Sequence, residues 1–180
     1  HHMAYLYNFV NKPAKTQEKV YQILTELYKN DPDGVSGNED CGQMSAWYVL
    51  SSLGFYPVTP GANQYIIGSP LFEKATLNLE NKKQFTIQAE NISDSAIYIE
   101  KAFLNDIELN RTFITHNEII AGGILKFYMT DAPNNWGTQE GHEPKTEIKE
   151  HLIIPTPFIA EGKIAFKNDT QVSLANSIKE

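Results

Sequence analysis

The spacing of apolar residues changes from helical to strand-like between about residues 54 and 62, and this change limits the folds open to the chain. Up to about residue 54 they recur every three or four positions, which is typical of helices. From about residue 62 they alternate in short β-branched and aromatic runs separated by turn pairs such as Asn-Lys, Asn-Asp and Gly-Gly. The 180-residue chain is therefore predicted to be an α+β protein, with helices first and an antiparallel, sandwich-like sheet after them.

Two segments carry the helical signal. In TQEKVYQILTELYKN the apolar residues share one face, and Thr16 stands where it would cap the helix. The segment DCGQMSAWYVLSSLG ends at Gly54, a suitable left-handed stop, with Pro57 just beyond. We expect Trp47 and Tyr48 of this second helix to lie in the core rather than to form a platform for a sugar.

The patterns divide the chain into four predicted parts. Residues 1–60 are helical, 61–132 form the antiparallel β domain, 133–151 form a polar linker, and 152–180 begin a further β module or tail. RTFITHNEII is expected to be a strand, with His116 solvated at its edge.

Charge and composition argue against some kinds of partner. Lys and Arg number 15 against 22 Asp and Glu, so the net charge of -7 would repel nucleic acid. No run reaches the roughly 18 to 20 apolar residues of a membrane span, and HHMAYLYN lacks the order of a signal peptide, so we expect no targeting information. Cys41 is the single cysteine and is expected to be buried without chemistry.

Two carboxylates stand where the second helix begins. Asp40 followed by Gln43 fits a capping box, and Glu39 would favour the positive end of the helix dipole. The same position favours the charged form of a carboxylate, which could then act as a general base on water. From these residues alone, a structural cap and a catalytic base both stay open.

Three ordered stretches carry a family resemblance. They are HHMAYLYNFVNKPAKTQ, GNEDCGQMSAWYVLSSLGFYPVTPGANQYIIGSPLFEKATL and MTDAPNNWG. Together they resemble the C-terminal part of glycoside hydrolase family 92, the calcium-dependent exo-acting α-mannosidases. His1 and His2 would otherwise be taken for a purification-tag remnant, but they match a histidine pair of that family.

The resemblance implies an architecture and a reaction. Residues 1–60 would be the last helices of a catalytic (α/α)6 barrel, and residues 61–132 an appended β-sandwich. The family hydrolyses α-mannosidic bonds with inversion, which requires a general acid and a general base. The acid is a glutamate expected outside this chain, so the remainder of the same enzyme chain is an expected partner and the fragment alone is expected to be inactive.

By matching positions, Asp40 is the candidate general base and Glu39 the alternative. Many family members carry a further acid where this chain has Asn38, so the base lacks a second carboxylate or Asn38 contributes hydrogen bonds instead. The residues expected to bind substrate are His1, His2, Asn38 and Gln43.

The resemblance also implies a calcium cofactor, without assigning its ligands in this chain, and a secreted or periplasmic bacterial enzyme acting on mannose-containing glycans such as N-glycans. We expect α-1,2 specificity. The alternative is a non-catalytic carbohydrate-binding or structural β module. Within the tail, IIPTPFIAEGKIAFKNDTQVSLANS is similar to the opening strands of a small β-sandwich found in some chitobiases and hexosaminidases.

Overall fold

The computed structural model describes residues 1–145, 156–162, 165, 167–169 and 171–175. The chain divides into two compact units, residues 1–145 and residues 146–180. The first unit contains helices and two β-sheets, and it holds all of the candidate site residues.

The helical part contains η1 (Met3–Val10, a 3-10 helix), α1 (Pro13–Glu26) and α2 (Gln43–Ser52). The prediction of two helices after the opening residues is confirmed. However, α1 begins earlier than expected, because Pro13 occupies its first turn, where a missing N–H costs no hydrogen bond. Thr16 therefore lies inside the helix with its side chain fully buried, and its predicted capping role is wrong.

Two sheets are built from the strands found within residues 1–145. These are β1 (Phe55–Tyr56), β2 (Gln64–Ile67), β3 (Lys74–Asn78), β4 (Gln84–Glu90), β5 (Tyr98–Leu104), β6 (Ile107–Glu108), β7 (Phe113–Thr115) and β8 (Gly123–Thr130). The small sheet has the order β1-β2-β7, and the large sheet has the order β3-β4-β8-β5-β6.

Two predictions about this region are wrong. Strands β4 and β8 are parallel, so the large sheet is mixed rather than antiparallel. The segment RTFITHNEII is not one strand, because helix α3 (His116–Ala121) follows β7 directly. His116 is exposed as expected, but on a helix. A mixed helix and sheet fold is confirmed, while the (α/α)6 barrel and the sandwich remain expectations for the whole protein.

The core of the first unit has two clusters. One lies on the large sheet and includes Phe85, Phe127 and Trp136. The other joins the helices to the small sheet through Tyr5, Val20, Leu24, Trp47, Tyr56, Ile66 and Phe113. This second cluster positions the candidate site, because Trp47 belongs to α2 and is 2 % exposed, which confirms its place in the core. Tyr48 is only partly buried.

The segment expected to be a linker begins inside the first unit. Trp136 is buried there, and its indole N–H donates to the Leu109 carbonyl oxygen at 2.9 Å. Residues 146–151 lie outside the described residues. The predicted boundaries at residues 60, 132 and 151 therefore stay predictions.

The second unit contains β9 (Phe158–Glu161) and β10 (Ser173–Ala175), which form an antiparallel pair. A further β module in this region stays a prediction. Within the part of the chain that the structure describes, no helix has the length and apolar character needed to cross a bilayer.

Candidate active site

The loop before α2 has an unusual backbone. Asp40, Cys41 and Gly42 have φ angles of 55°, 57° and 94°, so three successive residues adopt the left-handed conformation. Only Gly42 adopts it without steric cost, because it has no Cβ. The whole stretch from Gly37 to Gly42 is exposed, which contradicts the expectation that Cys41 is buried. The turned backbone brings Cys41 to the surface, so its thiol does not join the core.

Glu39, and not Asp40, caps the helix. The N-cap residue of α2 is Gly42, and the Glu39 carboxylate accepts a hydrogen bond from the Ser45 backbone N–H at 3.2 Å. The backbone carbonyl of Glu39 also accepts from the Met44 N–H at 3.1 Å. The predicted capping box of Asp40 and Gln43 is therefore wrong. The left-handed residues reverse the chain, so the acid three positions before the N-cap faces the first turn.

Asp40 presents an exposed carboxylate without a structural partner. Its backbone carbonyl accepts from the Gln43 N–H at 3.2 Å, but no hydrogen bond or ion pair within residues 1–145 uses its side chain. An acid held on an ordered turn yet free of partners is available to a substrate or to water. Asn38 is exposed beside it.

The side chain of Gln43 is held by a hydrogen bond. Its amide nitrogen donates to the Tyr56 hydroxyl oxygen at 2.6 Å. Because Gln43 is the first residue of α2, this bond anchors the beginning of the helix to β1. The structure thus brings Glu39, Asp40 and Gln43 together at one helix end.

His1 lies against the same end of α2. Its carbonyl oxygen accepts a hydrogen bond from the Trp47 indole N–H at 2.8 Å, and its Nε2 lies 2.8 Å from the sulfur of Met44. His2 is exposed, and its carbonyl oxygen accepts from the Tyr5 backbone N–H at 2.9 Å. His1 therefore contacts α2, at whose start the two acids lie, although it is more than forty residues away in the sequence.

Three aromatic rings lie beneath this site, and we call Tyr28, Trp47 and Tyr56 the aromatic cluster. The rings of Tyr28 and Trp47 are stacked at 5.9 Å, and those of Trp47 and Tyr56 are tilted at 6.3 Å. The Tyr28 hydroxyl donates to the Met44 carbonyl oxygen at 3.1 Å. Burial raises the pKa of the Tyr28 hydroxyl, and the nearby Glu39 carboxylate raises it further, so this hydroxyl remains a donor at neutral pH.

The sequence patterns did not point to Tyr28 or Tyr56 as site residues. Tyr28 belongs to the predicted apolar face of α1, and Tyr56 follows the end of α2. Their polar contacts join residues that are 13 and 16 positions apart, and periodicity carries no signal for contacts of that kind.

The described residues were expected to belong to a calcium-dependent enzyme, so their possible metal ligands are of interest. Calcium takes six to eight oxygen ligands, mainly from carboxylates, carbonyls and water. Across the residues that the structure describes, no group of three or more Asp, Glu, His or Cys side chains is placed to hold a metal ion. The described residues therefore supply no cluster of acidic side chains for the metal, and the calcium cofactor stays a prediction.

Comparison with known proteins places the chain in a family. Residues 1–131 match the model of the glycosyl hydrolase family 92 catalytic domain. A family GH92 α-mannosidase from Bacteroides thetaiotaomicron is 39% identical, with a TM-score of 0.78 over 81% of this chain. A family GH92 inverting mannosidase from the same organism is 44% identical, with a TM-score of 0.75 over 79% of this chain.

A curated relative from Arthroderma benhamiae, an uncharacterized secreted glycosidase, is 29% identical over 143 residues, or 78% of this chain. The chain spans about a fifth of the length of these relatives: 20% of each of the two mannosidases and 18% of the fungal protein. The resemblance seen in the motifs is therefore confirmed, and the chain belongs to glycosyl hydrolase family 92, with residues 1–131 matching its catalytic domain.

Proposed function

We propose that this chain is the C-terminal part of an exo-acting, inverting α-mannosidase that hydrolyses mannose-containing glycans, with Asp40 as its general base. The observation that carries the proposal is the exposed Asp40 carboxylate at the start of α2, which has no partner among the described residues, in a chain of this family. Two solved relatives are described as mannosidases, one of them as inverting, and the curated relative as secreted.

The choice between the two acids follows from their bonds. The Glu39 carboxylate accepts a hydrogen bond from the Ser45 N–H, and moving it away would remove this cap from the first turn of α2. Among the described residues, the Asp40 carboxylate accepts no hydrogen bond. Asp40 can therefore accept a proton from a water molecule without uncapping the helix.

The proposed reaction divides its two proton transfers between two carboxyl groups. In inversion the base takes a proton from the attacking water on one face of the sugar, while the acid protonates the leaving oxygen on the other. We assign the first transfer to Asp40 and the second to a glutamate outside this chain. His1, His2, Asn38 and Gln43 would orient the mannose at the mouth of the site.

Three finer points belong to the same proposal. The whole enzyme would use calcium, with most of its ligands supplied from outside the described residues. It would favour α-1,2 linkages, and it would act outside the cytoplasm as a secreted or periplasmic protein. The isolated chain would lack activity, because it would hold only one of the two carboxyl groups.

The test replaces each acid by its amide in the full-length enzyme. Asp40→Asn should lower turnover of α-1,2-linked mannobiose by roughly 10²-fold or more, because an amide accepts no proton from water. Glu39→Gln should keep measurable turnover and lose mainly thermal stability, since it weakens a helix cap. Rates and melting temperatures of both variants would be measured together.

Asp106→Asn provides the matched control, because Asp106 is also exposed and left-handed, with a φ of 63°, but lies in the β5–β6 turn. This variant should behave as wild type. Full turnover in Asp40→Asn, or loss of turnover in Glu39→Gln alone, would overturn the assignment of the base.

A further inference from the structure

The aromatic cluster contacts each segment of the candidate site through a polar group. Trp47 donates to the carbonyl of His1, Tyr56 accepts from the amide of Gln43, and Tyr28 donates to the carbonyl of Met44. Buried aromatic rings commonly need only one polar partner each. Here all three partners lie in the opening residues or in the first turn of α2, where the proposed base loop ends.

We propose that the aromatic cluster is a positioning device that sets the distance between the histidine segment at residues 1–2 and the base loop at residues 38–43. The Trp47 indole N–H is its central contact, since it joins α2 directly to His1 across 46 positions of sequence. The proposal rests on the proposed function, because it assumes that the two segments act on one sugar.

The packing of the aromatic cluster restricts the movement of Trp47. Trp47 is almost fully buried and lies against the rings of Tyr28 and Tyr56, so its indole cannot change direction without moving its neighbours. A hydrogen bond donated by a fixed ring therefore holds the His1 carbonyl in one place. Substrate-orienting groups must be held closely, because a displacement of about 1 Å can cost on the order of 10²-fold in rate.

A purely structural role makes a different prediction. If the indole N–H only stabilised the fold, its loss would reduce the amount of folded enzyme and leave KM unchanged. If it positions His1 relative to Asp40, its loss would weaken substrate orientation in the enzyme that remains folded. KM is then the quantity that separates the two roles.

Trp47→Phe in the full-length enzyme removes the N–H and keeps an aromatic ring. We expect KM for α-1,2-linked mannobiose to rise about tenfold, with a smaller fall in kcat. Trp136→Phe is the matched control, because the Trp136 indole also donates to a backbone carbonyl, that of Leu109 at 2.9 Å, but lies on the large-sheet core. The control should lose a similar amount of thermal stability and keep the wild-type KM.

A second pair covers the case in which Trp47→Phe does not fold. Tyr56→Phe removes the hydroxyl that accepts from Gln43, and Tyr5→Phe removes a buried hydroxyl that donates to Ser51 at 2.8 Å. Tyr56→Phe should raise KM several-fold. Tyr5→Phe should lower stability without affecting KM, since Ser51 lies in the last turns of α2, away from the loop.

Amide hydrogen exchange gives a readout that does not depend on activity. Trp47→Phe should speed exchange at residues 43–46, at the base of the loop, and Trp136→Phe should not. Unchanged KM in both Trp47→Phe and Tyr56→Phe would overturn the positioning role, whatever the exchange rates show. If exchange changes as expected but neither wild-type nor variant enzyme hydrolyses α-mannosides, the positioning role holds and the proposed function fails.

Discussion

At the scale of single residues, the loop before α2 combines exposure with backbone strain. Asp40 and Cys41 both hold positive φ angles, which cost residues with a Cβ about 1–2 kcal/mol each. Strained residues persist only where the surrounding structure fixes them, and they concentrate at functional sites. Glu39 supplies part of that restraint through its bonds to the Met44 and Ser45 N–H groups. The strain thus coincides with the proposed base.

A substitution at Cys41 tests this strain without touching a carboxylate. Cys41→Val should destabilise the enzyme by about 1–2 kcal/mol, because a β-branched side chain is poorly accommodated at positive φ. Cys41→Asn removes the same thiol but tolerates the left-handed conformation, so its stability should equal or slightly exceed that of the wild type. Denaturant unfolding of both variants gives the comparison, and equal stabilities would contradict the argument.

The sequence located the acids of the site but could not distinguish their roles. The motif around Asp40 was sufficient to predict a helix start and a family. It placed the N-cap too early, because only Gly42 among the three left-handed residues signals that conformation by its type. Which acid caps and which is free depends on backbone dihedral angles, and these are visible only in the structure.

At the scale of secondary-structure elements, local sequence patterns predict where strands lie better than they predict how the strands pair or which elements follow them. The alternation of apolar residues predicts both β4 and β8. Side chains alternate in the same way in parallel and antiparallel strands, so this pattern could not predict that the two strands pair in parallel. Helix α3 was missed because its six residues are too few to show a helical period. Its capping box of Thr115 and Glu118 was a readable signal that the strand pattern obscured.

The cap of α3 gives a pH-dependent prediction. Partial burial would raise the pKa of Glu118, but the Thr115 N–H and the Arg111 guanidinium outweigh it, and this pKa lies below its ordinary value. A carboxyl group with a lowered pKa in the folded state adds stability above its unfolded pKa, about 4.3, and loses it as pH falls through the folded value.

Glu118→Gln should therefore lower the melting temperature at pH 7, and the difference from wild type should shrink as the pH falls below about 4. Thr115→Ala should cost about 1 kcal/mol by removing the other half of the cap. Glu108→Gln, an exposed acid on β6, is the control for loss of charge alone. A difference that stays constant across the pH range would show that the carboxylate charge of Glu118 does not matter.

At the scale of the whole molecule, the helical part presents apolar side chains to solvent. Met3 is 73% exposed, Val10 60% and Val49 58%, and they lie on η1 and α2. Single exposed apolar residues are ordinary, and these three would be covered if a further part of the catalytic domain packed on η1 and α2 in the whole protein. This agrees with a chain that spans about a fifth of its solved relatives.

The isolated chain is expected to lack mannosidase activity. Inversion requires two carboxyl groups about 6.5–9.5 Å apart on opposite sides of the sugar, and we assign only the base to this chain. The purified 180-residue chain should therefore release no mannose from α-linked mannobiosides, with or without calcium. The full-length enzyme should hydrolyse these mannobiosides, lose activity with EDTA and regain it with calcium.

An unfolded chain would be inactive for a different reason than a folded chain with an incomplete site. Circular dichroism must therefore first show a cooperative thermal transition for the isolated chain. Hydrolysis by that folded chain would mean that both carboxyl groups lie within it, and the general acid would then have to be sought among its own residues.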